Sequence, residues 1–238
     1  MPQVQWDEAN MRYMMAAFPL VGVIIGALVW LWSWACGALG FHTVLYAGGL
    51  TLIPLIVSGG IHMDGFADVI DAQTSHAEPA RKREILRDPH TGAFAIIGVG
   101  CYLLAYFAFA SEVAPGHVFA LACVPVISRT LSGFATVTFA APSDEGMFSA
   151  ERSTPKAGVV RTVLVVLFVC VIALLAWQDA VVGIVMVVVA VVVLGCVKVF
   201  ADSQFGGMNG DIAGFFLQVA ELAMLITIVV VAAFLPGA

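Results

Sequence analysis

Charge is what this chain has least of. Only 11% of its 238 residues are Asp, Glu, Lys or Arg, against roughly 25% in ordinary soluble domains. Hydrophobic residues make up 61%, and a water-soluble fold of this length has no interior large enough to hide them. The bilayer is therefore the expected solvent for most of the chain. Basic charge is the scarcer sign, with 10 Lys and Arg against 16 Asp and Glu. No basic tract interleaved with aromatics occurs, which argues against a nucleic-acid partner. The cysteines, Cys36, Cys101, Cys123, Cys170 and Cys196, stand singly in apolar stretches, with no Cys-x-x-Cys pair. They read as small packing residues. A small-residue cleavage site is also missing, because the first apolar stretch ends in Trp30, Trp32 and Trp34. That stretch is expected to remain as a span rather than leave as a signal peptide.

What the chain does have is long apolar runs. A helix needs about 20 apolar residues to cross a hydrocarbon core of roughly 30 Å. Seven segments qualify, at about 14–36, 41–61, 92–114, 117–140, 159–177, 181–201 and 215–235. In lipid an open strand leaves its backbone polar groups unpaired, so even the Val-rich sixth segment is expected to be helical. The expected fold is an all-α, polytopic membrane bundle forming a single domain over residues 1–238. Six spans with the last hairpin re-entrant is the alternative.

The connections alternate between short and long. Residues 62–91, 141–158 and 201–214 form the long ones, and with seven spans they share one side with the amino terminus. That side holds Arg12, Arg81, Lys82, Arg83, Arg87, Arg152 and Lys156, with Arg161 and Lys198 at its edge, whereas the short-loop side has no Lys or Arg. By the positive-inside rule the long loops face the cytoplasm.

The densest polar feature follows the second span: His62-Met63-Asp64-Gly65-Phe66-Ala67-Asp68-Val69-Ile70-Asp71. If the helix continues, Asp64, Asp68 and Asp71 fall at i, i+4 and i+7 on one face. Three carboxylates on one face repel each other unless a cation lies between them. Hard oxygen donors without thiolate suit Mg²⁺, or Mn²⁺ in its place, in a site that a diphosphate substrate can share. The competing reading is a solvated acidic face, but Phe66, Ala67, Val69 and Ile70 on the other side argue that the helix packs. His62 serves either as a general base or as a structural hydrogen-bonder. The basic stretch Arg81-Lys82-Arg83 reads first as topology or lipid-headgroup contact, while Arg87 and Asp88, just before Gly92, are the better functional candidates. Two charges fall inside apolar spans, Arg129 and Glu221, and such residues mark either function or a buried pair. Asp211, Gly214, Gln218 and Glu221 share one helical face, a polar wall expected to point inward. Glycine-rich turns at Glu145-Gly146 and at Gly206-Gly207-Met208-Asn209-Gly210 allow close approach to a ligand.

These residues resemble a known family. Ser58-Gly59-Gly60-Ile61-His62-Met63-Asp64-Gly65-Phe66-Ala67-Asp68-Val69-Ile70-Asp71 is similar to the signature of the cobalamin synthases, the adenosylcobinamide-GDP ribazoletransferases. The similarity runs in order through Phe18-Pro19-Leu20-Val21-Gly22, Ile85-Leu86-Arg87-Asp88, Ser128-Arg129, Glu145-Gly146-Met147, Gly206-Gly207, Gly210-Asp211 and Glu221. The resemblance implies a bacterial or archaeal inner-membrane enzyme with a cytoplasmic site. Such an enzyme joins α-ribazole or its 5′-phosphate to adenosylcobinamide-GDP, releases GMP and closes the nucleotide loop of a cobamide. Positioning and charge neutralisation dominate chemistry of this kind. It implies that Asp64, Asp68 and Asp71 hold Mg²⁺ and, with His62, are catalytic. Arg87, Arg129, Gly207 and Asn209 would contact substrate or phosphate, and Asp88, Glu145, Asp211 and Glu221 would be further ligands. Membrane lipid is the other expected partner, and a homo-oligomer is left open. The sequence departs from the family pattern at Ala72, Pro89-His90, Pro142-Ser143 and Asn209, outside the aspartate cluster.

Two rivals come from other classes. A CDP-alcohol phosphotransferase also uses clustered aspartates, but its longer pattern needs glycine where Ala72 stands and an arginine shortly after. An ion-coupled transporter would account for Arg129 and Glu221, yet transporters bind near the midplane, and the aspartates lie at the end of a span.

Overall fold

In the computed structural model, which describes residues 13–88, 90–139 and 157–234, the described residues form helices and turns without strands. In chain order the helices are α1 Met14–Leu39, α2 Thr43–Val57, α3 Ile61–Thr74, α4 Pro79–Ile85, α5 Ala93–Ser111, α6 Val118–Thr136, α7 Ala157–Gln178, α8 Ala180–Phe205 and α9 Gly210–Phe234. Six of them, α1, α5, α6 with its short lead-in turn, α7, α8 and α9, are long and apolar enough to cross a membrane. The chain is a multi-pass helical membrane protein.

The second predicted span differs from expectation in one respect. Its helix does not continue into the aspartates. It stops at Val57, and α3 sets off at 91° to α2. Gly59 and Gly60 both take positive φ, 62° and 78°, a region closed to most side chains. The Gly60 N–H turns back to the Leu55 carbonyl at 3.0 Å, and the Asp64 N–H starts the next helix on the Gly60 carbonyl at 2.9 Å. With 15 residues, α2 is roughly 22 Å long, and a helix at right angles to it adds no crossing depth. Helix α3 therefore lies outside the spans. The last hairpin is not the re-entrant element, since α8 and α9 have 26 and 25 residues.

Helices α6 and α9 form the inner wall. Ile127, Leu131, Phe216, Leu217, Met224 and Ile228 are all buried there. Helix α1 comes very close to α6, where Gly22 faces the Pro125 carbonyl and Gly26 the Ala122 carbonyl with no room for a Cβ. Val44, Leu104, Trp177 and Val199 face outward, and bare apolar surface of this kind belongs against lipid rather than water.

The two ends of the bundle are built differently. At the short-loop end, Trp32 Nε1 donates to the Tyr46 carbonyl at 3.0 Å. There Asp179 caps α8 by accepting from the Val181 and Val182 amides, and His117 Nε2 stands 3.8 Å from its other oxygen. At the opposite end gather α3, α4, the start of α5 and the α8–α9 turn. Asp71 fills the space beside Gly92, Lys82 bonds to Gln204 across 2.5 Å, and Arg161 donates to the Val137 carbonyl.

Candidate active site

Helix α3 is held by one close crossing. A Cβ on Gly65 would lie 2.8 Å from Asp211 Cα, and one on Gly214 would lie 2.9 Å from the His62 carbonyl oxygen. Two glycines facing each other's helix bring the backbones of α3 and α9 together and so set Asp211 beside the α3 aspartates. Phe66, Ala67 and Val69 bury the opposite face of α3, and Phe66 stacks on Phe215 of α9 with centroids 5.6 Å apart. The expectation of a packed rather than a solvated helix holds.

Four carboxylates result at one place. Asp64 is exposed, and Asp68, Asp71 and Asp211 are partly buried. The Asp68 carboxyl is pushed up to about 6, first by burial and then by the charges of Asp64, Asp211 and Asp71. Among the described residues no Lys, Arg or His forms an ion pair with any of the four. The donors are oxygen throughout, which suits a hard divalent cation. As the side chains stand, no group of three among the described residues closes on a single point. That still fits Mg²⁺, which keeps several waters and takes one or two carboxylates plus substrate phosphate rather than a full protein cage.

The α8–α9 turn ends α8 with Gly206 at φ 79° and Gly207 at φ 144°. Asn209, expected on substrate, caps α9. Its Oδ1 accepts from the Ile212 amide at 2.9 Å, and its Nδ2 donates to Asp211 Oδ2 at 3.1 Å, so it orients one of the four carboxylates.

Arg129 and Glu221 lie apart from this cluster, inside the bundle, 1% and 2% exposed. Arg129 Nη1 donates to Glu221 Oε1 at 2.5 Å and to the Pro125 carbonyl at 3.2 Å, while Ser128 Oγ donates to the same glutamate oxygen at 2.7 Å. The inward polar wall read from the sequence is present, with Gly214, Gln218 and Glu221 all buried. His62, at the start of α3, meets Phe18 edge to face at 5.8 Å. Its backbone carries the Gly214 contact, and it lies within electrostatic reach of Arg129 and Glu221.

Arg87 and Asp88 are exposed after α4. Asp88 accepts from the His90 backbone amide at 3.0 Å and meets the His90 ring at 2.6 Å, contacts that hold its carboxyl below the usual carboxylate range. Glu145, Arg12, Arg152 and Lys156 lie outside the described residues. What the sequence reading missed is Lys82. It is buried, where a topological lysine would be exposed, and bonds to Gln73 Oε1 at 2.8 Å and Gln204 Oε1 at 2.5 Å. Gln73, one turn-half beyond Asp71 on α3, was the available signal.

A family model described as cobalamin-5-phosphate synthase matches residues 1–229. A protein of Lachnoclostridium phytofermentans named adenosylcobinamide-GDP ribazoletransferase is 36% identical over 96% of this chain and 88% of its own length. One of the same name from Clostridium botulinum is 32% identical over 94% of this chain and 90% of its own, and one from a Geobacillus species is 28% identical over 92% and 86%. No solved structure matches. The comparisons give no support to the phospholipid-enzyme or transporter readings. A match that runs almost end to end, and takes in both the aspartate helix and the inner Arg129–Glu221 wall, places the chain in the cobalamin-5-phosphate synthase family.

Proposed function

We propose that this chain is an adenosylcobinamide-GDP ribazoletransferase of the bacterial or archaeal cytoplasmic membrane, dependent on Mg²⁺ or Mn²⁺, with its site on the cytoplasmic side. The observation that carries the reading is the meeting of Asp64, Asp68, Asp71 and Asp211 without a protein cation among the described residues. The relatives' shared name supplies the substrate. The distribution of Arg81, Arg83 and Arg87 at the aspartate end, against no Lys or Arg at the short-loop end, supports the orientation.

In the transfer, a ribose hydroxyl of α-ribazole or its 5′-phosphate forms a bond to the cobinamide-linked phosphorus. The bond from that phosphorus to the oxygen shared with GMP breaks, and GMP leaves with the electron pair. Asp64, Asp68 and Asp71 would hold the divalent cation, which would supply charge neutralisation at the diphosphate. The chain's residues do the rest. Asp68 and Asp71 fix the ligand face, Asn209 orients Asp211, and one of the α3 aspartates or His62 takes the hydroxyl proton. Arg87 and the backbone at Gly207 are available to phosphate oxygens at the rim. The Arg129–Glu221 pair serves as a positioning element beneath His62, and lipid covers the outward apolar faces.

The test is GMP release and cobamide formation by protein in liposomes given adenosylcobinamide-GDP, α-ribazole and Mg²⁺, with and without EDTA. Product that EDTA abolishes is expected. No product from folded protein would refute the substrate assignment, and EDTA-resistant product would refute the metal.

A further inference from the structure

Helix α9 turns Gln218 and Glu221 inward, and only part of their hydrogen bonding is spent on protein. Both bonds to Glu221 end on Oε1, so its Oε2 has no partner among the described residues. Gln218, one turn earlier, is 8% exposed, and its amide is likewise unpartnered there. Across from them on α5, Tyr102 and Tyr106 are buried with ring centroids 5.9 Å apart, and neither hydroxyl bonds to a described residue. Buried tyrosine hydroxyls and amides ordinarily find partners. These four side chains line one small cavity, together with Thr51 of α2 and Met63 of α3. Thr51 gives its hydroxyl proton to the Ala47 carbonyl at 2.8 Å, which leaves its oxygen free to accept. The cavity offers about 10 Å³ to the centre of a water molecule. That is room for a water and too little for any fragment of a nucleotide or corrinoid.

We infer that this cavity is a built hydration site, holding an internal water that donates to Glu221 Oε2 and accepts from the Tyr102 and Tyr106 hydroxyls, with Gln218 and Thr51 open to its remaining proton. The donor and acceptor count fits. Water brings two protons and two lone pairs, while the wall offers two phenols with a proton to give and a carboxylate that only accepts. A cation suits the place less well, because the same carboxylate is already neutralised by Arg129. Bridging water joins polar groups that do not touch directly. Tyr102, Tyr106 and Gln218 are therefore positioning residues: through the water they tie α5 to α9 and hold Glu221 so that its Oε1 stays on Arg129 and Ser128. This role requires no assumption about the reaction.

The test is hydroxyl-radical labelling of the protein in liposomes by a short X-ray pulse, read residue by residue by mass spectrometry. Radicals born from a bound water oxidise the side chains that touch it. Tyr102 and Tyr106 should be labelled well above Met224, which is 0% exposed and does not line the cavity. Thr51→Leu fills the cavity from α2 without altering the other polar groups, and should bring the tyrosine labelling down to the Met224 level. Tyrosines labelled no more than Met224 in wild type overturn the inference, and so does strong labelling that Thr51→Leu leaves unchanged, since the oxidising water is then elsewhere. Should Thr51→Leu fail to fold, Leu103→Phe, which fills the cavity from α5, is judged by the same readout. The melting-temperature losses of Tyr106→Phe and Gln218→Leu should fall short of additive in the double variant, because both remove partners from one water; full additivity overturns the shared site. A bound cation is separated by salt. Equal melting temperatures in sodium and choline chloride support water, and a sodium-specific rise that Thr51→Leu abolishes overturns it.

Discussion

The molecule holds two assemblies of ionisable groups, and they solve opposite problems. Inside the bundle, Arg129 and Glu221 are almost wholly buried but paired, and Ser128 and the Pro125 carbonyl join the network. At the bundle's end, Asp64, Asp68, Asp71 and Asp211 are less buried but alike in sign. The paired set has its charge balanced within the protein, with Arg129 Nε the one fully enclosed polar atom of the pair left without a partner among the described residues. The like-charged set holds no cation of the protein's own among the described residues, and on the proposed reading a divalent ion joins it. On the proposed reading, charge left unneutralised marks the chemistry and charge deeply buried marks the scaffold.

Substitutions can break this contrast. The largest effect is expected from Asp68→Asn, which should lower GMP release by about 10²–10³-fold while leaving the melting temperature level or higher, because a repulsion is relieved. A stability loss with normal turnover per folded molecule would erase the distinction. Next is Glu221→Gln, which strands the Arg129 charge and should destabilise by about 3–5 kcal/mol in denaturant unfolding. The double replacement Arg129→Met with Glu221→Met should cost less than this single change, and an additive cost would contradict the pairing account. Gly65→Ala presses a methyl group onto Asp211 Cα. Displacing α3 by a fraction of an ångström to an ångström should reduce turnover by up to about 10²-fold through misplacement alone, measured with membrane insertion unchanged. The smallest effect belongs to the far end. Asp179→Ala removes the α8 cap and should cost about 1 kcal/mol, with no change in KM for either substrate.

The long apolar helices were legible in the sequence because lipid imposes a simple rule on length and composition, and α1, α5, α6, α7, α8 and α9 follow it. The break between α2 and α3 was written in Ser58-Gly59-Gly60, but glycine permits a left-handed turn without requiring one, so the continuous helix was an equally lawful reading. The spacing of Asp64, Asp68 and Asp71 survived because α3 is itself helical, whichever way it points. The arrival of Asp211 depends on Gly65 and Gly214 meeting across more than a hundred residues of chain, a contact that no local pattern encodes. Lys82 was hidden for a related reason. A lysine in a basic loop reads as exposed until Gln204, from a distant helix, is seen closing over it.

The most direct test of the account is Mn²⁺ binding to the detergent-solubilised protein by electron paramagnetic resonance, comparing wild type, Asp68→Asn and the Arg129→Met, Glu221→Met double variant. Wild type and the double variant should bind the ion, with an affinity that weakens as pH drops below about 6, where protons begin to compete for Asp68. Asp68→Asn should bind it at least about tenfold more weakly at neutral pH. Equal affinity in wild type and Asp68→Asn, or loss of the ion in the double variant alone, would contradict the claim that the unneutralised carboxylates form the metal-dependent centre.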